Sequence, residues 1–437
     1  MNPRALAIQV LARVERTDAY LNVVLDSQLD EHRLPDPRDA ALVTELCYGV
    51  ARRQLTLDQA LARFIDRRLE QLEPKVLAAL RVGTYQLFYT RVPRHAAVSS
   101  TVEALKTHGL SRATGLVNAV LRRLAALDEL PLPPEQPADE YLAARESHPV
   151  WLVRRWVRQF GPARAEEMLV ADNQPPSVTV RVNASKLSRG ELLAQLSEAG
   201  IEAKPTALSP AGVVLPPVGR LEDLYGYAEG LWQVQDEAAQ LVGLYAAIPE
   251  GARVLDACAA PGGKACHLAE RLEVVALDVH ESKLRKIHAE ARRLGVDARI
   301  TTHAHDATSP LPEEWEEFHA VVVDAPCTGL GTLRRHPELR YRRQEADIAR
   351  LAELQRRILE NCQAVVAPGG LLVYAVCSTD PQEGADQVEM FLRSHPEYTA
   401  EPPSLSEAIP TWQGYLRTLP GPEGLDGFFA ARLRRTY

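Results

Sequence analysis

Two of the six cysteines stand where a thiol could react. The six lie at positions 47, 258, 266, 327, 362 and 377, with no C-x-x-C pair. The spacing required of a zinc site is therefore missing, and no metal is expected. Free cysteines are usually small core residues, and Cys47, Cys266 and Cys362, set in helical patterns, are expected to be that. Cys327 and Cys377 instead follow short apolar runs, in Asp324-Ala325-Pro326-Cys327-Thr328-Gly329 and Tyr374-Ala375-Val376-Cys377-Ser378. A single cysteine at a strand end is more often packing than chemistry. Two on one rim of an open sheet could do more. A thiolate adding to C6 of a cytosine makes C5 enamine-like, so that C5 can take a sulfonium methyl group. The C5 proton must then leave before the thiolate can be eliminated, which requires a base. One thiol as nucleophile, a second to aid release and a carboxylate, Asp324, to engage the N3/N4 edge of the base would suffice. A helix start or a cation would have to lower the pKa of the attacking thiol.

A glycine loop lies nearby in the chain. After the apolar run ARVLDA come Cys258-Ala259-Ala260-Pro261-Gly262-Gly263-Lys264 and a helical stretch. Small residues let backbone approach a ligand, and helix-start N–H groups can face its carboxylate. A P-loop would need glycine at 258 and Ser/Thr at 265, where Cys258 and Ala265 stand. The dinucleotide fingerprint fails because the glycines are adjacent. The acids narrow the choice: Asp256, Asp278, Asp306 and Asp324 each close or follow a successive apolar run. Any one could be a helix N-cap. Four in register point into one crevice, and Asp278 is placed to accept the hydroxyls of a ribose. A nucleoside-type ligand is expected. His303 and His305 lack partners at ligand spacing, and the small size of Cys258 is expected to be what its loop needs.

The 437 residues are too many for one ordinary domain. Residues 1–128 read as all-α, with RALAIQVLARV, DAALVTELCYGVARR, LDQALARFI, PKVLAALRVGTYQLFY and HAAVSSTVEALKTHG repeating apolar residues at helical intervals. Asp39, Asp58 and Ser99 are candidate N-cap or first-turn residues, and Pro74 suits a first turn. Residues 129–144 form a proline-rich linker. Residues 145–245 read as a small α+β module, with the helix WLVRRWVRQFG, the strand SVTVRVNA and the capped helix SRGELLAQLSEAG. From 246 to 437, ARVLDA, EVVALD, ARITTH, HAVVVDA and GLLVYAV alternate with helical stretches, the pattern of a Rossmann-like, doubly wound parallel sheet. The amino terminus lacks the apolar core of a signal peptide, and no run of eighteen apolar residues occurs, so a cytosolic protein, with no membrane role and no disulfides, is expected. The net charge of −8 excludes little, because residues 1–130 carry 18 Lys/Arg against 15 Asp/Glu. Arg334, Arg335, Arg340, Arg342 and Arg343 crowd ten residues after the Cys327 segment. They are either a solvated helix face or phosphate contacts, and RNA binding is the expectation.

The stretch Val254–Lys264, the DAPCTG and RRHPE segments and the Cys377 segment resemble the NOL1/NOP2/Sun family of RNA cytosine-5 methyltransferases. The helices of residues 1–128 are similar to the RNA-binding domain of the antitermination factor NusB. The resemblance extends through RVN at Arg181–Asn183 and VQDEAAQLV at 234–242. It implies S-adenosylmethionine as cofactor, held by Cys258–Lys264, Asp278, Asp306 and Asp324. It further implies Cys377 as nucleophile, Cys327 as the residue aiding release, a cytosine of 16S ribosomal RNA as substrate, and a monomer. Val376 departs from the family, which usually has threonine there. Three alternatives stay open. A DNA-type enzyme would attack with Cys327. An N-methyltransferase would carry a proline-proline-aromatic motif in place of DAPC. A lapsed RNA-binding assembly factor would have lost a glycine, an acid or a cysteine.

Overall fold

The computed structural model describes residues 2–217, 219–312, 315 and 317–436. The chain forms two compact units. The first is Met1–Pro175 with Leu333–Arg342, and the second is Pro176–Thr332 with Arg343–Tyr437. The first of these units therefore continues past the proline-rich stretch to residue 175.

The first unit is helical throughout: α1 (Pro3–Arg16), α2 (Leu21–His32), α3 (Pro37–Ala62), α4 (Pro74–Tyr89), α5 (Arg94–Thr107), α6 (Thr114–Ala125), α7 (Ala138–Glu146), α8 (Val150–Phe160) and α9 (Pro162–Asp172). Leu6, Ile8, Leu46, Leu80, Val82 and Leu121 are buried together in its core. Gly49 lets α3 approach α4, since a Cβ there would lie 2.1 Å from the Tyr85 ring. Pro74 opens α4 as expected, but Asp58 and Ser99 are not caps. α3 runs unbroken where two helices were expected, and it is capped by Asp36, whose carboxylate accepts the Arg38 N–H. Asp58 lies inside it as the bidentate partner of buried Arg81, at 2.7 and 2.8 Å. The Ser99 hydroxyl donates to Ala96 O within α5.

The segment Leu333–Arg342 belongs to this unit, and Arg340 and Arg342, expected as phosphate contacts, are held within it. Arg340 is 1% exposed. Its guanidinium donates to Arg52 O, Ser147 O, Asn173 Oδ1 and Asp172 O at 2.7–3.4 Å. Arg342 donates to Val14 O in the last turn of α1 and to Thr17 O, Asp18 O and Ala19 O just past it, pairing carbonyls at a helix end. Arg334 is buried as well, and its carbonyl accepts from Arg52. Arg335 is half-buried. Crowded arginines in sequence read as a surface; here Arg340 and Arg342 are engaged mainly by backbone oxygens.

The second unit begins with an antiparallel sheet of β1 (Val178–Val182), β2 (Lys204–Pro205), β3 (Gly212–Leu215) and β4 (Trp232–Val234), in the order β2-β3-β1-β4. It is flanked by α10 (Arg189–Glu198), the expected capped helix, which opens with a capping box of Ser188 and Glu191. Arg181 on β1 is buried and donates to Gln235 and Gln233 while pairing with Glu270. Asn183 donates to Gly230 O and Leu294 O. The RVN motif thus serves packing. After α11 (Glu237–Ala246) comes a nine-stranded sheet. Its parallel part is β5 (Arg253–Asp256), β6 (Glu273–Asp278), β7 (Ile300–Ala304), β8 (Phe318–Asp324) and β9 (Val366–Val376), ordered β9-β8-β5-β6-β7. These are the five expected strands. Helices α12 (Gly263–Ala269) and α13 (Glu281–Leu294) bear on one face, and Glu345–Cys362 and Ala385–Ser394 on the other. The sheet is not purely parallel. β10 (Tyr398–Ala400), β11 (Thr411–Trp412), β12 (Tyr415–Thr418) and β13 (Phe428–Arg435) extend it, with β13 antiparallel to β9. β13 is buried along nearly its whole length, so it lacks the alternation that marks a half-exposed strand. Among the described residues no helix is long and apolar enough to cross a membrane.

Candidate active site

β5 and β8 run side by side and parallel, and the order of strands reverses between them, the switch point where an open α/β sheet forms a crevice. Register sets the rim. Asp256 lies level with Ala276 and Val322, Asp278 with Ala304, and Asp324 with Ala375. Asp256, Asp278 and Asp324, with Cys377 two residues past Ala375, therefore share one edge.

The glycine loop is stitched to both neighbouring strands: Ala257 N–H donates to Val322 O and Ala259 N–H to Leu277 O. Gly262 adopts φ 111°, and a Cβ there would press on Ile287 at 3.2 Å, so the position requires glycine. No side chain caps the start of α12. Asp256 is fully buried, and neither carboxylate oxygen has a hydrogen-bond partner. Burial, reinforced by the charge of Asp324, pushes its pKa to about 7. An orphaned buried carboxylate beside uncapped helix N–H groups fits a ligand carrying both a cation and a carboxylate. Asp278 is largely buried, and its carboxylate accepts the His280 N–H at 2.9 Å. Asp306, two residues past β7, is exposed and accepts from the Thr308 N–H and hydroxyl, which hold its carboxyl below the usual range. The buried thiol of Cys258 is pushed well up by desolvation, which suits a filler of space.

Lys264 reaches from α12 to Asp324, Nζ to Oδ2 2.6 Å, with its ammonium 5.3 Å from the Phe428 ring centre. Burial opposes the charge, but Asp324 outweighs it and the Lys264 pKa rises. The two thiols meet: Cys327 Sγ and Cys377 Sγ are 3.2 Å apart. The hydrogen bond to Cys377 and burial raise the Cys327 pKa well above the ordinary thiol value, and the charge of Glu383 adds to the rise. Arg343, expected to hold a phosphate, donates instead to Thr328 O at 3.0 Å and Cys327 O at 3.5 Å, bracing the thiol's loop. Val376 faces the core, fully buried. The site residues that sequence reasoning missed are Glu383 and Gln355, both buried behind the thiols. A lone Glu in the polar stretch DPQEG reads as surface, and no sequence signal marks it.

Comparison with known proteins agrees with this architecture. Residues 245–434 match the family described as 16S rRNA methyltransferase RsmB/F, 1–126 the NusB family, and 148–219 a ferredoxin-like domain of RsmF/B-like methyltransferases. The chain is 37% identical over 440 residues to ribosomal RNA small subunit methyltransferase B of Klebsiella pneumoniae, covering 99% of this chain and 98% of that one. It is 38% identical over 446 residues to the same-named protein of Pseudomonas putida, with equal coverage. Its fold is that of the crystal structure of PH0851, at TM-score 0.86 and 24% identity over 99% of both chains. A methyltransferase homologue from Pyrococcus horikoshii, at TM-score 0.58 and 27% identity, covers 69% of this chain and 99% of its own.

Proposed function

Because this chain belongs to the RsmB/F family of S-adenosylmethionine-dependent 16S rRNA methyltransferases, we propose that it methylates C5 of a cytosine in 16S rRNA through Cys377. The observation that carries the reading is the 3.2 Å pairing of two thiols on the rim beside the Lys264–Asp324 ion pair. Bound there, S-adenosylmethionine supplies an electrophilic methyl group. The Cys377 thiolate adds to C6, and C5 takes the methyl group. A base then removes the C5 proton, the C5=C6 bond re-forms, and Cys377 leaves as thiolate. Asp324 engages the N3/N4 edge of the ring, with Lys264 holding its carboxylate in place. Cys327, 3.2 Å from Cys377, is placed to assist the release step. The decisive measurement is mass spectrometry of nucleosides from 16S RNA treated with the enzyme and labelled cofactor. 5-Methylcytidine is the expected product; a methyl group on N4 or on a ribose oxygen would overturn the reading.

The cofactor is proposed to lie against Gly262, Gly263, Asp278, Asp306 and Asp324. Asp278→Ala is expected to weaken its binding by roughly 1.5–3 kcal/mol, the cost of losing charge-assisted hydrogen bonds. Unchanged affinity in calorimetric titration would remove Asp278 from the site.

Asp256 supplies a pH signature. Its folded pKa of about 7 lies above the ordinary aspartate value, so the folded apo protein holds an extra proton between pH 4 and 7. That linkage favours folding at the acid end and is lost as pH rises through 7. A cationic ligand stabilises the carboxylate, so cofactor binding near pH 6.5 is expected to release protons and to tighten as pH rises toward 7.5. Titrations in buffers of different ionisation enthalpy read the proton count, and zero release would refute the coupling.

A further inference from the structure

Resting on the reading that Cys327 and Cys377 perform the chemistry, we propose that Glu383 is the positioning residue that holds the two thiol loops in register. Its carboxylate is 0% exposed. It accepts the Thr328 N–H at 2.8 Å, the Thr328 hydroxyl, the Ser378 hydroxyl at 2.6 Å and the Gln355 side-chain amide at 3.1 Å. Thr328 follows Cys327 and Ser378 follows Cys377, so one carboxylate grips the neighbour of each thiol. The Thr328 and Ser378 hydroxyls also lie 3.3 Å apart. Gln355 extends the clamp. It donates to Pro326 O, just before Cys327, and accepts from Tyr374, which also donates to Glu383 O.

Among the described residues no cation pairs with Glu383, and each of these partners is a neutral donor. Burying a carboxylate among neutral donors is costly, and burial does raise its pKa. An uncharged residue would fill this space at lower cost. What only a carboxylate supplies is two oxygens that accept from both loops at once. Its charge also bears on Cys327. The same group thus sets the spacing of the thiols and helps Cys327 keep its proton.

Glu383→Gln leaves one accepting oxygen and points an amide at a donor. In the full-length enzyme kcat is expected to fall about 10–100-fold, the scale of a misplaced reacting group. Cofactor affinity should stay within about twofold, and a denaturation-resistant protein–RNA adduct should accumulate as release falters. The ratio of Cys327 to Cys377 alkylation by iodoacetamide, read by mass spectrometry without RNA, should also change. Unchanged kcat overturns the proposal. So does a loss of cofactor affinity in step with kcat with the alkylation ratio intact, which marks plain destabilisation. If Glu383→Gln does not fold, Thr328→Val and Ser378→Ala carry the test. Each should shift the alkylation ratio, and their effects on kcat should be less than additive because they share one acceptor; full additivity overturns the proposal. Should Cys377→Ala keep full activity, the covalent reading fails instead, while the alkylation ratio still reports on the clamp.

Discussion

Alanine at Cys377 is expected to abolish methyl transfer, a loss on the order of 10³-fold or more, and to leave no covalent protein–RNA adduct. Alanine at Cys327 is expected to do the opposite to the adduct. Attack and methyl transfer proceed, release stalls, and a protein–RNA band survives denaturation. The target base must leave its stack for a sulfur to reach C6, so the RNA must offer an unpaired or flipped cytosine. The 3.2 Å approach of the two sulfurs places both within reach of one ring. What differs between them is position: Cys327 lies in the loop after β8 that Arg343 braces, and Cys377 directly follows β9. Denaturing gels of both variants with substrate RNA and labelled cofactor decide the matter. A trapped species in the Cys377 variant that vanishes in the Cys327 variant would reverse the assignment.

The second large effect is on stability. Arg340→Met is expected to destabilise the helical unit by on the order of 3–5 kcal/mol, because several buried acceptors lose a donor at about 1–3 kcal/mol each. Three backbone carbonyls and Asn173 Oδ1 lose their donor in a place water does not reach. For a unit of this size that corresponds to a fall in melting temperature of roughly 6–20 °C. Calorimetry of the full chain checks it, with Arg343→Ala as control, since Arg343 braces a loop of the second unit. A shift below about 2 °C for Arg340→Met would show that the network contributes little.

How much of this was legible beforehand depended on range. The five parallel strands and the glycine loop were readable because each is a local pattern: apolar runs, most of them closed or followed by an acid, and after the first of them a stretch of small residues. α10 was readable as a capped helix. The antiparallel β13 was not, because burial on both faces erases alternation. Asp58 looked like a cap, since its partner Arg81 lies 23 positions away and no local pattern pairs them. The arginine cluster misled for the same reason, because the carbonyls that Arg340 and Arg342 hold lie hundreds of positions earlier in the chain. Within the site, the residues that would touch ligands carried signals. Glu383, which acts by holding other residues, carried none.

The helical unit is completed by Leu333–Arg342, and this bears on how the protein is made. A chain emerging from the ribosome presents residues 1–175 long before the segment that fills them. At about 5–20 residues per second, residues 176–342 take on the order of 10–30 s to follow. For that interval Asp172, Asn173, Ser147 and Arg52 wait with their acceptors uncovered, while β5 to β8 are already emerging. The unit that begins first therefore finishes late, and no single cut in the chain releases either unit whole.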